Sequence, residues 1–347
     1  MEKSSKDLTI SILIPCYNEE KSVVACIRSC LDQTRPADEV VVVNDGSTDN
    51  TAELLKTFGS AITVVEIPVA TGNKSHAQEI GLKHITSDIV VTTDGDTILN
   101  PRFIERVAID FTDPSVAAMG GYVVSLSHNW LTACRELDYI LGQDLYKRAQ
   151  AYLHAIFVIP GCAGAFRVDL FRNITIGFDH DTLTEDLDLT YKLHVQGLKI
   201  VYDREAIVYT QDPATLSSYI NQMRRWYCGG WQNLLKHYQV LQNPANAFTF
   251  TLIYIEGTFF AALLFMLPVL NFVLFVYFVL PYIVFLLLLG MYGSLVRKRW
   301  DLLLYSPTYI VLLFINAFIF LEQFVKEIVL RKKNMVWFHP ECRRIQI

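Results

Sequence analysis

The stretch DIVVTTDGD, residues 88 to 96, is an apolar β-branched run that ends in two aspartates, Asp94 and Asp96. Two carboxylates this close raise each other's pKa and repel, so the pair is unfavourable unless a positive charge lies between them. A divalent cation would supply that charge. We therefore expect a buried strand that carries a metal-binding turn at its carboxyl end.

The surrounding sequence alternates between strand and helix patterns. Runs too apolar to leave one face in water occupy residues 9–15, 39–44, 62–67 and 88–92, and helical patterns occupy residues 20–33, 51–58 and 75–85. Strands that alternate with helices form βαβ units, and these build a parallel sheet covered on both faces. The first hundred residues are therefore predicted to form an α/β domain.

Polar motifs follow three of these strands: PCYNEE (15–20), NDGSTDN (44–50) and DGD (94–96). Ligands of open α/β sheets bind beyond the carboxyl ends of the strands. The motifs therefore predict a binding site at one rim of the sheet. Further on, HDTLTEDLDLTYKLHVQG (180–197) predicts a loop followed by a helix, with Thr184 as its N-cap.

The composition indicates two unlike parts. The chain has 347 residues, 52% of them hydrophobic, a mean hydropathy of +0.29 and a net charge of −5. Three nearly continuous apolar runs, at residues 248–270, 272–296 and 302–324, each approach the ~20 residues that cross a bilayer. Pro307 permits a bent or re-entrant last run, so two or three spans are expected.

A further helix is predicted over residues 216–238, with an interruption at Gly229 and Gly230. Its aromatic residues with basic neighbours favour a position at a membrane surface. The start, MEKSSKDLTI, lacks a signal-peptide core, so the amino-terminal part is expected in the cytoplasm.

Other classes of protein fit less well. The seven cysteines are odd in number and form no CxxC pair, which favours free thiols in a reducing compartment over a disulfide framework or a zinc site. No Gly-rich phosphate loop follows the first strand, so a dinucleotide-binding enzyme is not expected. We expect no nucleic-acid partner.

Several side chains are candidates for chemistry, each with a simpler alternative. Asp94 and Asp96 project to one side of an extended chain, and hard carboxylate oxygens suit Mg²⁺ or Mn²⁺, although a solvated turn has the same pattern. Asp186 is a candidate general base or a helix N-terminal acid. QMRRW (222–226) combines an amide, a guanidinium and an indole, which suits phosphate and sugar contacts or a membrane-anchoring helix.

The order of the motifs is more specific than any one of them. PCYNEE, NDGS, DGD, GCAGAF, TED, QxxRW and then membrane spans resemble the membrane-bound family 2 glycosyltransferases, above all the processive β-polysaccharide synthases that make poly-N-acetylglucosamine, chitin, hyaluronan and cellulose. The resemblance covers residues 9–238 and continues loosely to VWFHPECRR in the tail.

The resemblance implies a fold and domain bounds. The fold is a GT-A-like domain with a Rossmann-type, mostly parallel sheet, followed by C-terminal transmembrane helices. Residues 1–215 would form the cytosolic transferase domain, 216–246 an interfacial region with QxxRW, 247–330 two or three transmembrane helices, and 331–347 a basic tail.

The resemblance also implies roles for individual residues. Asp94 would contact the nucleotide and bind metal with Asp96, and Asp186 would be the base. Asn73 stands where the family usually has glycine, beside the basic residue of a nucleotide-binding motif. The implied nucleotide-sugar contacts are Pro15, Tyr17, Glu19, Asp45, Lys74, Asp94 and Arg225, and the implied acceptor-side residues are Gln222, Arg225, Trp226 and Glu185.

The expected function is inverting, metal-dependent transfer from a UDP-sugar, with UDP-N-acetylglucosamine favoured, to a growing β-linked polysaccharide. One alternative is transfer of a single sugar to a polyprenyl phosphate or other lipid, and another is a non-catalytic nucleotide-binding membrane subunit. Such a subunit should have lost Asp96, Asp186 or Trp226, which are all present.

The expected location is the cell membrane, as an integral membrane protein with a cytoplasmic catalytic domain in contact with membrane lipid. We expect no membrane span before the predicted transferase domain, unlike in the larger synthases. A second copy or an accessory subunit would then complete a pore, or the product would be short, or the acceptor would be a lipid.

Overall fold

The computed structural model describes residues 8–173, 176–333, 335, 343 and 345. The chain divides into two compact units. The first contains Met1–Val124, Ala151–Gln211 and Glu341–Ile347, and the second contains Ser125–Gln150 and Asp212–Pro340. The first seven residues, Cys342 and most of the predicted basic tail, including most of VWFHPECRR, lie outside the described residues.

The first unit is built on a mixed sheet. Its described strands are β1 Ile10–Cys16, β2 Glu39–Asp45, β3 Thr63–Ile67, β4 Ile89–Thr92, β5 Ile98–Leu99, β6 Val116–Ser125, β7 Gly164–Arg167 and β8 Lys199–Thr210. They lie in the order β3-β2-β1-β4-β7-β6-β8-β5. The half from β3 to β4 is parallel, whereas β7 pairs antiparallel with both β4 and β6.

Helices connect the strands and form the second unit. Their described bounds are α1 Val23–Leu31, α2 Thr51–Lys56, α3 Lys74–Leu82, α4 Phe103–Asp110, α5 Trp130–Ile140, α6 Arg148–Tyr152, α7 Asp169–Asn173, α8 Glu185–Val195, α9 Leu216–Lys236, α10 Pro244–Leu270, α11 Phe272–Arg297, α12 Asp301–Tyr305 and α13 Tyr309–Phe324. The predicted α/β alternation of the first hundred residues is confirmed, with bounds that shift by at most three residues.

The register of the parallel strands places three polar loops on one rim. Cys16 at the end of β1 lies beside Asn44 of β2, and Leu13 lies beside Thr92 at the end of β4. The residues of β1, β2 and β4 are almost all buried, as their unbroken apolar pattern predicts. The same prediction is wrong for β3, which is half-exposed because it lies at the edge of the sheet. The chain therefore leaves the sheet at PCYNEE, NDGSTDN and DGD on the same side.

Gly46, directly after β2, allows a close approach between two loops. Its φ is +63°, and a Cβ there would lie 2.3 Å from the backbone nitrogen of Ala70. Real Cβ atoms do not approach backbone so closely, so only glycine lets the NDGS turn pack on the loop that leads into α3.

The described part of the second unit contains three helical segments long and apolar enough to cross a membrane: Pro244–Leu270, Phe272–Arg297 and Asp301–Val329. Pro307 lies in a short 3₁₀ turn, Ser306–Thr308, between α12 and α13, so the helix type changes where a bend was predicted. The predicted interruption of α9 is wrong, because the helix continues through Gly229 and Gly230. Instead, the Gly230 carbonyl accepts a 2.9 Å hydrogen bond from the Tyr254 hydroxyl of α10.

Gly46 and Gly59 offer a matched pair of variants. Both have positive φ, but a Cβ at Gly59 would meet no atom within 4 Å. We expect Gly59→Ala to cost about 1–2 kcal/mol through backbone strain alone, and Gly46→Ala to cost roughly 1–3 kcal/mol more through overpacking. Thermal unfolding of the purified protein should therefore rank the midpoints as wild type, then Gly59→Ala, then Gly46→Ala. Equal midpoints for the two variants would contradict the packing of Gly46 on Ala70.

Candidate active site

The loops after β1 and β2 are fastened to each other by backbone donors. The Thr48 N–H donates to Asn18 Oδ1 at 2.8 Å, and the Glu19 N–H donates to Thr51 Oγ1 at 2.9 Å. Asn18 adopts a φ of +56°, in the left-handed region that asparagine tolerates better than most residues. Pro15 and Tyr17, predicted to contact the nucleotide, lie half-buried at this rim.

Asp45 fixes the loop that precedes α3. Its two carboxylate oxygens accept hydrogen bonds from the Thr71 N–H at 2.8 Å and from the Thr71 hydroxyl at 2.7 Å. The side chain of Asn73 then caps α3 by accepting from the Ser75 N–H at 2.9 Å. This cap accounts for asparagine at the position where glycine was expected, and it sets Lys74 at the first position of the helix.

Carboxylates gather at the end of β4. Removal from water raises the pKa of Asp96 well above its usual value, and the negative charges of Glu19 and Asp94 raise it further. Asp96 therefore sits among like charges, as the DGD pattern predicts. The Cys26 thiol also donates to the Asp94 carbonyl, with 3.3 Å between sulfur and oxygen, and so holds this turn on α1.

Lys74 joins two parts of the chain that are far apart in sequence. Its ammonium lies 2.6 Å from Asp94 Oδ1 and 3.0 Å from Glu185 Oε1. Desolvation lowers the pKa of Lys74, but the negative charges of Asp94 and Glu185 outweigh it and hold this pKa above its ordinary value. The side chain of Glu185 is only 5% exposed. The resemblance assigns Glu185 to the acceptor side and Lys74 to the nucleotide, and here the two residues form an ion pair.

Asp186 lies next to this ion pair, at the start of α8. Its Oδ2 accepts from the Gly161 N–H at 3.2 Å, and its Oδ1 accepts from the Leu187 N–H at 2.8 Å. A Cβ at Gly161 would lie 3.1 Å from the Lys74 ammonium and 3.5 Å from Glu185 Oε1. The PGCAGA loop thus reaches the rim and orients Asp186. Gly161 was not among the predicted site residues, although the small residues of PGCAGA indicate a loop that can pack closely on its neighbours.

The donor set at the rim fits a hard divalent cation. Carboxylate oxygens of Asp94 and Asp96 are the ligand type that Mg²⁺ and Mn²⁺ prefer. Burial and the negative charges of Glu19 and Asp94 raise the pKa of Asp96, although the Lys74 ammonium acts in the opposite direction. Lys74 supplies one positive charge to Asp94. The residues at this rim therefore fit the implied metal.

A second acidic group was not predicted from the sequence. Among the described residues, Asp179, Asp181 and Asp188 bring carboxylate oxygens within 4.8 Å of one another. The Lys192 ammonium lies 2.8 Å from both Asp179 and Asp188 and already acts as their counter-ion. This group therefore has a structural explanation that needs no metal.

The QxxRW residues belong to the second unit, on α9. Gln222 is 8% exposed, and Arg225 and Trp226 are half-buried. The Trp226 ring lies against the Arg135 guanidinium of α5, 4.8 Å from its centroid to the guanidinium carbon. The other predicted site residues, from Pro15 to Asp186, all lie in the first unit.

Comparison with known proteins extends these observations. Residues 8–229 match the family model described as "Glycosyltransferase like family 2". The chain is also 29% identical over 233 residues to the poly-beta-1,6-N-acetyl-D-glucosamine synthase of Staphylococcus epidermidis, and 29% identical over 234 residues to the synthase of that name from Staphylococcus aureus. Each match covers 66% of this chain but only 56% of the relative.

Solved structures with a similar fold are more distant in sequence. The mannosyltransferase PcManGT of Pyrobaculum calidifontis, solved with GDP-Man and Mn²⁺, has a TM-score of 0.64 at 19% identity, over 87% of this chain and 86% of that one. TarS of S. aureus, solved with UDP-GlcNAc, has a TM-score of 0.50 at 16% identity, over 87% and 91% of the two chains. The predicted GT-A-like fold is thereby confirmed, and the three apolar segments indicate a membrane protein. With its family-model match over more than half of its length, the chain belongs to glycosyltransferase family 2.

Proposed function

We propose that this protein transfers a sugar from a UDP-sugar to a growing β-linked polysaccharide at the membrane, with inversion at the anomeric carbon. UDP-N-acetylglucosamine is the proposed donor. The poly-beta-1,6-N-acetyl-D-glucosamine synthases named above support this donor and product, and the UDP-GlcNAc in the TarS structure is compatible with the same fold. The catalytic domain is proposed to face the cytoplasm.

The observation that carries the proposal is the position of Lys74 between Asp94 and Glu185. It places the turn predicted to contact the nucleotide next to the residue that precedes the predicted base. Donor and base thereby share one rim of the sheet. A merely solvated DGD turn would not require a half-buried cation that reaches the start of α8.

Charge at the rim supports a metal-dependent reaction. Asp94 and Asp96 would hold Mg²⁺ or Mn²⁺, which supplies electrostatic neutralisation of the diphosphate that departs. Lys74 contributes a positive charge at this rim and is proposed to contact the same phosphates. The preorganised cation favours the negative charge that develops as the sugar–phosphate bond breaks.

Asp186 is the proposed general base. It accepts the proton of an acceptor hydroxyl as the hydroxyl oxygen attacks the anomeric carbon from the side opposite the diphosphate. An α-linked donor then gives a β-linked product. Asp186 is half-exposed, and its carboxylate accepts a hydrogen bond from the Gly161 N–H. This bond orients the base before the acceptor arrives.

The remaining roles rest on the resemblance. Pro15, Tyr17, Glu19 and Asp45 are proposed around the uridine, Gln222 and Trp226 at the acceptor, and Arg225 at the diphosphate. A second copy or an accessory subunit is proposed to complete a path for the polymer. Transfer of one sugar to a lipid is the competing outcome.

Substitution of two carboxylates should separate binding from chemistry. We expect Asp186→Asn to lower transfer by roughly 100-fold or more, because the base is lost, while UDP binding stays intact. Asp96→Ala should weaken both, because the metal site is lost. Asp181→Asn, which removes an exposed carboxylate of the same unit, is the control. Titration of UDP with Mn²⁺ and radiolabelled transfer are the measurements, and unchanged turnover of Asp186→Asn would refute the assignment of the base.

Two bridging lysines provide a test of the ion pair. Lys74 and Lys192 each lie within 3.0 Å of two carboxylates in the first unit. Lys74→Gln should lower UDP affinity by about ten-fold or more, in the range for loss of one charge-assisted contact. Lys192→Gln should lower the thermal midpoint yet bind UDP as wild type does. Equal UDP affinity of the two variants would place Lys74 outside the nucleotide site.

Product length distinguishes the polymer from a single transfer. Detergent-purified protein should release UDP with UDP-N-acetylglucosamine faster than with other UDP-sugars, and only when Mn²⁺ or Mg²⁺ is present. Radiolabelled donor should appear in a product that a β-N-acetylglucosaminidase shortens. A lipid carrying one sugar as the sole product would reject the polymerase reaction but keep glycosyl transfer.

A further inference from the structure

The second unit contains a buried cation that the sequence motifs do not include. Arg135 on α5 is 3% exposed. Its Nη1 lies 2.8 Å from Asp138 Oδ2, and its Nε lies 3.3 Å from Asp212 Oδ1. Removal of one partner of such a buried ion pair is strongly destabilising.

Three aromatic rings surround the same guanidinium. Its carbon lies 4.8 Å from the ring centroid of Trp226, 5.1 Å from that of Tyr139 and 5.7 Å from that of Tyr219. Arginine has a flat, weakly hydrated head that stacks on such faces, whereas lysine has none. Trp226 is the indole of QxxRW, so the guanidinium touches a residue of the acceptor motif directly.

The two carboxylates that pair with Arg135 also accept hydrogen bonds from tyrosine hydroxyls. The Tyr309 hydroxyl donates to Asp138 Oδ1, and the Tyr139 hydroxyl donates to Asp212 Oδ1 at 3.0 Å. The Tyr219 hydroxyl in turn donates to Asn316 Oδ1 at 2.8 Å. Arg135 therefore cannot turn away from the indole without breaking several buried contacts. Such a supporting shell is what keeps a contact residue in one rotamer.

We propose that Arg135 is a positioning residue for Trp226, fixing the indole through its guanidinium so that the half-exposed ring meets the acceptor sugar in one orientation. The proposal rests on the acceptor role of Trp226 given under the proposed function. If the cluster around Arg135 had only a structural role, its loss would lower stability. The ratio of acceptor KM to donor KM would then stay unchanged.

The test measures acceptor and donor KM separately, with short β-linked N-acetylglucosamine oligosaccharides and UDP-N-acetylglucosamine. The double variant Arg135→Gln/Asp212→Asn removes one charge of each sign and leaves Asp138 with the Tyr309 hydroxyl. We expect acceptor KM to rise about ten-fold and donor KM to stay within about two-fold, because misplacement of a contact residue selectively weakens the substrate that it binds.

Arg297→Gln is the matched control. Arg297 pairs with Glu136, the neighbour of Arg135 on α5, and Glu136 is fully buried. This variant should lose stability without raising acceptor KM. Arg135→Lys, which keeps a cation beside Asp138 and Asp212, should fold and show an intermediate acceptor KM. Wild-type acceptor KM in Arg135→Lys and in the double variant would overturn the proposal.

Trp226→Ala separates this proposal from the proposed function. It should raise acceptor KM at least as much as the double variant, and adding it to the double variant should change acceptor KM little further, since the three substitutions disrupt one contact. If Trp226→Ala keeps the wild-type acceptor KM, the acceptor role of QxxRW is wrong. If Trp226→Ala impairs acceptor binding while the Arg135 variants do not, only the positioning role fails.

Discussion

The ammonium of Lys74, held between Asp94 and Glu185, is the interaction on which the candidate site depends. Without it, Asp94 would lie beside Asp96 and Glu19 with uncompensated charge, and Glu185 at the start of α8 would lose its ion pair with Lys74. The burial of Glu185 strengthens its ion pair with Lys74, because water screens this pair less than an exposed one. One side chain thus determines both the charge of the rim and the approach of the predicted base.

The fold provides that contact through backbone geometry. The parallel strands place PCYNEE, NDGS and DGD at the same rim of the sheet. The Asn73 side chain caps α3, so Lys74 lies in the first turn of this helix. The absence of a Cβ at Gly161 then lets the PGCAGA loop lie against Lys74 and donate to Asp186. The base is therefore oriented by a loop whose sequence carries no titratable side chain other than a thiol.

The sequence predicted those parts whose signals are local. The strands from β1 to β4 are continuous β-branched runs with a helix after each of the first three, and the three apolar segments of the second unit exceed the length of a bilayer span. The motifs also predicted which carboxylates line the rim. The role of Asn73 was not predicted, because an N-cap depends on where the helix starts rather than on which residue the family usually has.

Contacts between residues that are far apart in sequence were not predicted. β6 and β7 obtain their place in the sheet from antiparallel pairing, and the four residues of β7 are too few for a pattern. Arg135 is remote from Asp212 in sequence, so their ion pair leaves no local spacing. The glycines of α9 suggested a break because helix propensity disfavours them, but packing against Tyr254 decides the structure there.

A density map of the protein with UDP and Mn²⁺ tests the central claim most directly. The account predicts the diphosphate between Lys74 and Asp96, with the metal ion on Asp94 and Asp96 and the Asp186 carboxylate facing the side where the sugar would extend. A nucleotide bound elsewhere, with Asp94 and Asp96 open to bulk solvent and no metal ion between them, would contradict it.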